Sequence, residues 1–436
     1  MWVLATTRRG PHKSTQQRIA HGIYQKMFFS PNYINTYMAI INEKAFYYVE
    51  TYDDRNSTPP QPRIKYDSWP GVAVRNWDDR DYWYVEFVNG DAFYHYPIDV
   101  LAGPEIFSKI KSGEIMLCIS HVHEAYHYVI NDIYTDVVIK LGIDPRNILF
   151  LTNSADIKNE IDIVSQKYNL PKIRSEFISL FEVVAKKEIR INLQKFAQKT
   201  LDKPAYEKKF ISLNGLWRPH RLELMCFLES LNLIDKGYVS FNACPTREIP
   251  SMDEMFDDLV MWNKQSEESL KLLYDNEAKI KKLSRILLDT ESDMNWQGAV
   301  FTSADKKYYE NTYFSIVTET LCRPEHSAQG HTLGRAISEK TFKPILHHHP
   351  FMILGVKGAL SLLKELGYRT FSPYIDESYD NEDDTSKRAY MIAQEAKRLV
   401  SLEGSELNDF LAASREIVVY NFMQLISKDV FAYQIT

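Results

Sequence analysis

Cysteine is scarce in this chain of 436 residues. Cys118, Cys226, Cys244 and Cys322 lie far apart without a C-x-x-C spacing, and each stands in or beside an apolar run. That excludes a disulfide framework and a cysteine zinc motif, and reads as reduced, buried thiols. No apolar stretch approaches the about 20 residues that a membrane-spanning helix needs. The amino terminus, MWVLATTRRGPHKS, places apolar residues before basic ones, the reverse of a secretory signal, so a cytoplasmic location is expected. There is no basic excess either. A net charge of −6 argues against a surface built to coat nucleic acid. Internal repeats and low-complexity tracts are also missing.

What is plentiful is material for a core. Hydrophobic residues make up 44% of the chain, with 27 Tyr and 22 Phe, which read first as core packing. The length exceeds what one core organises, so two domains with a cleft between them are expected. Strand and helix patterns alternate, the signature of α/β units. A polar stretch at Gln198–Lys208 reads as the linker. The expected division is an N-terminal domain over 1–204, a second over 205–385, and helices over 386–436 that pack back toward the first.

In the first domain, Tyr82–Phe87 and Ala92–Tyr96 flank Asn89-Gly90, a dipeptide suited to a tight turn, which predicts an aromatic β-hairpin over 82–96. It reads as a structural flap, or alternatively as a wall on which an acceptor sugar stacks. Asp79-Arg80-Asp81 just before it has the D-x-D form that holds a divalent cation, but it does not follow a clear βαβ strand and is not taken as a metal site. Ile115–Ser120 predicts a strand whose carboxyl end feeds His121, His123 and Glu124, where an open α/β sheet presents residues to its ligand cleft. His-x-His lacks a third spaced ligand for zinc. A capping or buried role competes with that of the general base that deprotonates a hydroxyl, Glu124 first and His123 second.

The densest stretch is Phe314–Tyr379. Phe314–Val317 predicts a strand with Glu319 at its carboxyl end. A loop follows, then Ser338 as the N-cap of a helix carrying Glu339, Lys340 and Lys343. A helix start attracts phosphate through its unpaired N–H groups and its dipole, and the two lysines add full charges. Pro350–Leu354 reads as a buried strand, Gly355 and Gly358 as a turn, and Leu360–Leu366 as a helix. Asp376 and Glu377 lie in an acidic segment expected to meet the cleft again. His347-His348-His349 looks like a metal tract, but consecutive side chains point in different directions.

The order VTE, ISEK, an apolar strand closed by Gly355, and YID resembles the donor-binding half of fucosyltransferase-like glycosyltransferases, which hold a guanosine diphosphate sugar. Ser338–Ile345 (SEKTFKPI) and Ile375–Asp380 (IDESYD) are similar to segments of glycosyltransferases of bacteriophages and large viruses. The resemblance covers about Phe210 to Leu399; the loop Leu321–Ala336 is longer than the compact fucosyltransferase form. It implies two Rossmann-like domains facing across a cleft, the GT-B arrangement, and sugar transfer from a nucleoside diphosphate donor (a GDP- or UDP-sugar) to a glycan or other hydroxyl acceptor. The reaction it implies inverts the anomeric carbon and requires no metal or other cofactor. In viral hands the location would be the host cytoplasm.

The resemblance also implies roles. Asn214, Arg218 and Arg221 follow the first strand of the second domain, where the family meets the diphosphate. Without a metal, fixed cations must neutralise the departing group, and a guanidinium grips two phosphate oxygens at once. Ser240 or Asn242 would line the base pocket, Glu339 would hold the ribose hydroxyls, and Glu319 would hold the sugar or support Glu339. Two rivals stand beside this reading. One is a virion or glycan-binding protein that keeps the fold without turnover. The other is a transferase acting on modified DNA bases, disfavoured by the acidic balance.

Overall fold

The structure, a computed structural model, describes residues 35–41, 44–50, 80–86, 98–122, 125, 128–196, 206–216, 218–242, 252–264, 266–283, 286, 288, 306–322 and 334–427. The chain is mixed α/β and divides into two compact units, Met1–Leu180 with Asp429–Thr436, and Phe181–Lys428.

In the first unit, β1 (Asn35–Ile41) and β2 (Lys44–Glu50) pair antiparallel. From β2 onward the ladder is parallel through β3 (Asp81–Glu86), β4 (Ile115–His121), β5 (Ile148–Thr152) and β6 (Arg174–Phe177), in chain order. Strands laid down in sequence by right-handed crossovers send their connecting helices to one face. The core agrees. Ile98 and Ile110 of α1 (Ile98–Ser112), Val129 and Ile130 of α2 (Tyr128–Asp132), Ile133 and Val137 of the π-helical turn Ile133–Ile139, and Ile157 and Ile161 of α3 (Ile157–Tyr168) share one cluster with Trp83, Leu117, Ile119 and Phe150.

The expected hairpin is corrected here. β3 has a parallel partner on each side, β2 along Tyr82–Glu86 and β4 along Asp81–Glu86, so no edge remains for an antiparallel return. Tyr82, Trp83 and Tyr84 are at most 1% exposed and are core, not a stacking wall. An aromatic run next to Asn-Gly fits a buried parallel strand ending in a loop as well as it fits a hairpin. Ala92–Tyr96 lies outside the described residues.

The division falls at the start of α4 (Leu180–Phe196), before the expected linker. Glu182 explains why: it is fully buried and accepts a 2.6 Å hydrogen bond from Tyr368 Oη, so the start of α4 belongs to the second unit.

The second sheet is wholly parallel, in the order β10-β9-β7-β8, with β7 Phe210–Leu216, β8 Gly237–Asn242, β9 Phe314–Thr318 and β10 Phe351–Leu354. Its first helix, α5 (Pro219–Ser230), opens with proline at N1, where the missing N–H costs nothing. There follow α6 (Met252–Trp262), α7 (Glu267–Asp275) and α8 (Glu277–Ile280), with Ser266 capping α7 through a 3.3 Å bond from Ser269 N. Then come α9 (Lys306–Glu310), α10 (Glu339–Leu346), α11 (Ala359–Glu365), α12 (Thr385–Val400) and α13 (Gly404–Ser427). α13 runs unbroken because no glycine or proline interrupts it after Gly404. α12 lies on α5, where Tyr390 meets the Phe227 ring edge-on at 5.5 Å and Ser386 Oγ donates to Glu223 at 2.5 Å.

This strand order fixes where a ligand can be met. The chain leaves β7 for β8 on one side and returns to β9 on the other, so the crevice beyond the carboxyl ends of β7 and β9 is a switch point. Helices leaving in opposite directions there leave an opening between their N-termini.

Candidate functional site

At that opening, Glu319 follows the last residue of β9 and is 3% exposed. Its backbone N–H donates to Leu354 O of β10 at 2.9 Å. Its carboxylate reaches the start of α10. Oε1 accepts from Ser338 N at 3.1 Å and from Thr341 Oγ1 at 2.7 Å, and Oε2 accepts from Ser338 Oγ. Its carbonyl faces the start of α5, 2.9 Å from His220 Nε2 and 3.4 Å from Arg221 NH2. One residue therefore ties β9, β10, α5 and α10 together. A Cβ on Gly355 would stand 3.3 Å from Glu319 Cγ, so the turn after β10 runs as close to this carboxylate as packing allows.

Ser338 is the N-cap of α10, as its sequence position predicts, and its Oγ accepts from Lys340 N at 3.3 Å. Glu339 and Lys340 form an ion pair with side chains 21% and 24% exposed. Lys340 Nζ also donates to Thr320 Oγ1 at 2.9 Å. Burial opposes ionisation of Glu339, but the charge and hydrogen bond of Lys340 and the charge of Lys343 outweigh it and hold the carboxyl below the usual glutamate value. Lys343 is half-buried one turn further along.

At the other helix start, Arg218 is the extended N-cap residue of α5 and Arg221 lies in its first turn, 3% exposed. Burial pulls the Arg221 pKa down to about 10, with the like charge of Arg218 adding to the fall, while Glu319 and Glu339 counter it. The guanidinium stays charged at neutral pH. Two arginines lie near each other at a helix N-terminus, with Glu319 and Glu339 as their counter-charges, and a helix start carrying guanidinium groups is a place where an anion can be held.

Asn214 and Ser240 lie deeper. Asn214 is fully buried; its N–H donates to Ser240 Oγ at 3.1 Å and its Oδ1 accepts from Thr318 Oγ1 at 2.7 Å. They brace β7 against β8 and β9, beneath the helix starts. The side chain of Asn242 lies outside the described residues.

Other expectations are changed by the geometry. Both Glu319 oxygens are taken up by α10, so its bonds brace a helix rather than reach outward. Asp376 turns to its own loop, where Oδ1 accepts from Ser378 N at 2.9 Å. Glu377 Oε1 accepts from Phe371 N at 2.6 Å and Ser372 N at 3.1 Å, which makes it a loop brace. His347, His348 and His349 are buried and diverge: His347 stacks on Tyr309 at 4.3 Å, His348 on Phe422 at 4.1 Å, and His349 Nδ1 bonds Ser315 Oγ at 2.6 Å. That is packing rather than a ligand set. Of the D-x-D triplet, Arg80 donates to Asn147 Oδ1 at 2.7 Å, and Asp81 begins β3, the end of a parallel strand away from ligands. His123 and Glu124 lie outside the described residues, while His121 closes β4 at 1% exposure.

Thr320, Thr341 and His220 join the site although sequence reading did not single them out. Thr341 had a visible signal, since it stands at the third helical position after the Ser338 cap. The other two depend on which strand ends the fold brings together.

No helix among the described residues is long and apolar enough to cross a membrane. No protein-family model matches the sequence, and comparison with curated proteins finds no match. Among solved structures, the chain is similar to an α,α-trehalose 6-phosphate synthase from Burkholderia multivorans, with 12% identity, a TM-score of 0.40, and coverage of 87% of this chain and 73% of that one. It is similar to a glycosyltransferase from Rickettsia africae at 9% identity and a TM-score of 0.31, covering 87% of this chain and 84% of that one. It is also similar to the catalytic domain of starch synthase IV from Arabidopsis thaliana, bound to ADP and acarbose, at 6% identity and a TM-score of 0.35, covering 94% and 88%.

Proposed function

We propose that the chain is a glycosyltransferase that moves a sugar from a nucleoside diphosphate donor to an acceptor hydroxyl, with the donor held at the switch point of the second sheet. The observation that carries this is the convergence of the α5 and α10 N-termini, one bearing Arg218 and Arg221 and the other Ser338, Glu339 and Lys340, on the same strand end at Glu319. The sequence motifs resembling fucosyltransferase-like enzymes fall on these residues.

In this reading the diphosphate lies between the helix starts. Arg218 and Arg221 neutralise the charge that develops as the glycosidic bond breaks, and Lys340 turns from Glu339 and Thr320 to a phosphate oxygen. Lys343 adds long-range positive charge. Glu339, ionised and released from Lys340, accepts from ribose hydroxyls. Glu319, Asn214 and Ser240 hold the two helix starts in place. A base, with Glu124 and His123 as candidates, takes the acceptor proton in a single displacement with inversion and without a metal.

The test is a thermal-shift series with the diphosphates of guanosine, uridine, adenosine, cytidine and thymidine, with and without magnesium. A ligand at 100 times its dissociation constant adds about 2.7 kcal/mol, readily seen as a higher melting temperature. A magnesium-independent shift with one nucleotide is expected. No shift with any of the five would overturn the assignment.

A further inference from the structure

Between α11, the loop that follows it and α12 lies a groove that the candidate site does not use. Its volume is about 720 Å³, within the about 300–1,000 Å³ usual for small-molecule sites. Ser361 and Lys364 of α11, Pro373, Tyr374 and Asp376 of the following loop, and Arg398 of α12 line it. Neither Glu319 nor any residue at the α5 and α10 starts does so.

Much of its polar lining is already engaged. Asp380 accepts from Leu360 N at 3.0 Å and Ser361 N at 3.2 Å, and Glu377 is bound by the loop backbone. What remains open is mixed in character. Asp376 is ionised, its pKa lowered by hydrogen bonds from Ser378, and a carboxylate has acceptor positions beyond those. The Lys364 side chain is 55% exposed and 3.4 Å from Glu377, which leaves ammonium protons to donate. Tyr374 is 40% exposed, a large ring open to water. Its backbone is held on both sides: Tyr374 N donates to Phe371 O, and Tyr374 O accepts from Arg398 NH2, each at 2.8 Å.

This combination selects a ligand class. Asp376, Glu377 and Asp380 outweigh Lys364 and Arg398, so a phosphate or sulfate meets net negative charge. A purely apolar ligand strands the donors and acceptors. A sugar suits them, because its hydroxyls donate and accept while its C–H face lies on an aromatic ring. We propose that this groove binds a neutral oligosaccharide, with Tyr374 as the platform, Asp376 accepting from hydroxyls and Lys364 donating to them. The site is separate from donor binding and holds whether or not the chain transfers sugar.

The experiment is an array of immobilised oligosaccharides, neutral (glucose-, galactose-, mannose- and N-acetylglucosamine-based) and sulfated, probed with the full chain and with Tyr374→Ala, Asp376→Asn and Lys340→Ala. Melting curves check that each variant is folded; if Tyr374→Ala is not, Asp376→Asn decides. Retention of at least one neutral glycan is expected, weakened about tenfold or more in Tyr374→Ala and Asp376→Asn and unchanged in Lys340→Ala. Retention of no neutral glycan, of sulfated glycans only, or binding that survives both groove variants would overturn the proposal. Loss of nucleotide binding in Lys340→Ala with glycan retention intact tells this site from the donor site.

Discussion

Glu319 illustrates how much one carboxylate can organise. It receives Ser338 N, Ser338 Oγ and Thr341 Oγ1, all from the first turn of α10. Glu319→Gln supplies a single acceptor oxygen and turns an N–H2 toward donors, leaving a buried donor unmatched. A loss of about 1–3 kcal/mol in urea unfolding is expected. In the proposed reading Lys340→Ala removes a charge-assisted contact to phosphate and is expected to weaken nucleoside diphosphate binding about tenfold or more, while loss of the ion pair with Glu339 lowers the melting temperature of the free protein. The buried histidines give a pH prediction. Burial, then the charges of His349, Lys343, His348 and Lys306, depress the His347 pKa to about 3, and burial depresses His349 to about 4 despite the opposing hydrogen bond with Thr312. Between about 6.5, the ordinary histidine value, and those folded values, the unfolded chain binds more protons than the folded one. Stability is therefore full above pH 6.5 and falls as the solution is acidified toward 4. His347→Phe keeps the stack on Tyr309 without the titration, so its melting temperature should fall less steeply between pH 6.5 and 5.

At the scale of elements, what the sequence made legible was local. The strand read over Phe314–Val317 is observed as Phe314–Thr318, and the Ser338 cap is observed as read, because an apolar run and a cap residue are settled within a few positions. The brace from Glu319 to Ser338 was not legible, since a separation of 19 residues closes only through the fold. The same holds for the hairpin, which failed because strand partners are chosen across the sheet and not by the turn beside them. Asp376 and Glu377 were expected at the cleft from their acidic segment and the IDESYD resemblance, yet loop hydrogen bonds occupy them. Packing between elements sets a further prediction. A Cβ at Gly237 would lie 2.6 Å from the Phe210 ring, which is fully buried and stacks on Phe314 at 5.5 Å. The ring has no room to retreat, so Gly237→Ala should cost about 1–3 kcal/mol by denaturant titration and loosen β8 against β7.

For the whole molecule, the alternation of strand and helix patterns rightly indicated mixed α/β architecture. It could not give the sheet orders, and those single out the second unit: the first sheet follows chain order, while the second reverses across β7 and so has a switch point. A protein carrying an all-parallel sheet must also deal with the outer strand of that sheet. Among the described residues β10 pairs with β9 alone, and on its other side Ile353 N donates to Tyr379 Oη at 3.3 Å while Phe371 packs its ring against Phe351 at 5.1 Å. A phenol therefore occupies a hydrogen-bonding position that a strand from another molecule would need. Tyr379→Phe keeps the ring over β10 and leaves that buried amide without its acceptor, so a loss of about 1–3 kcal/mol in urea unfolding is expected.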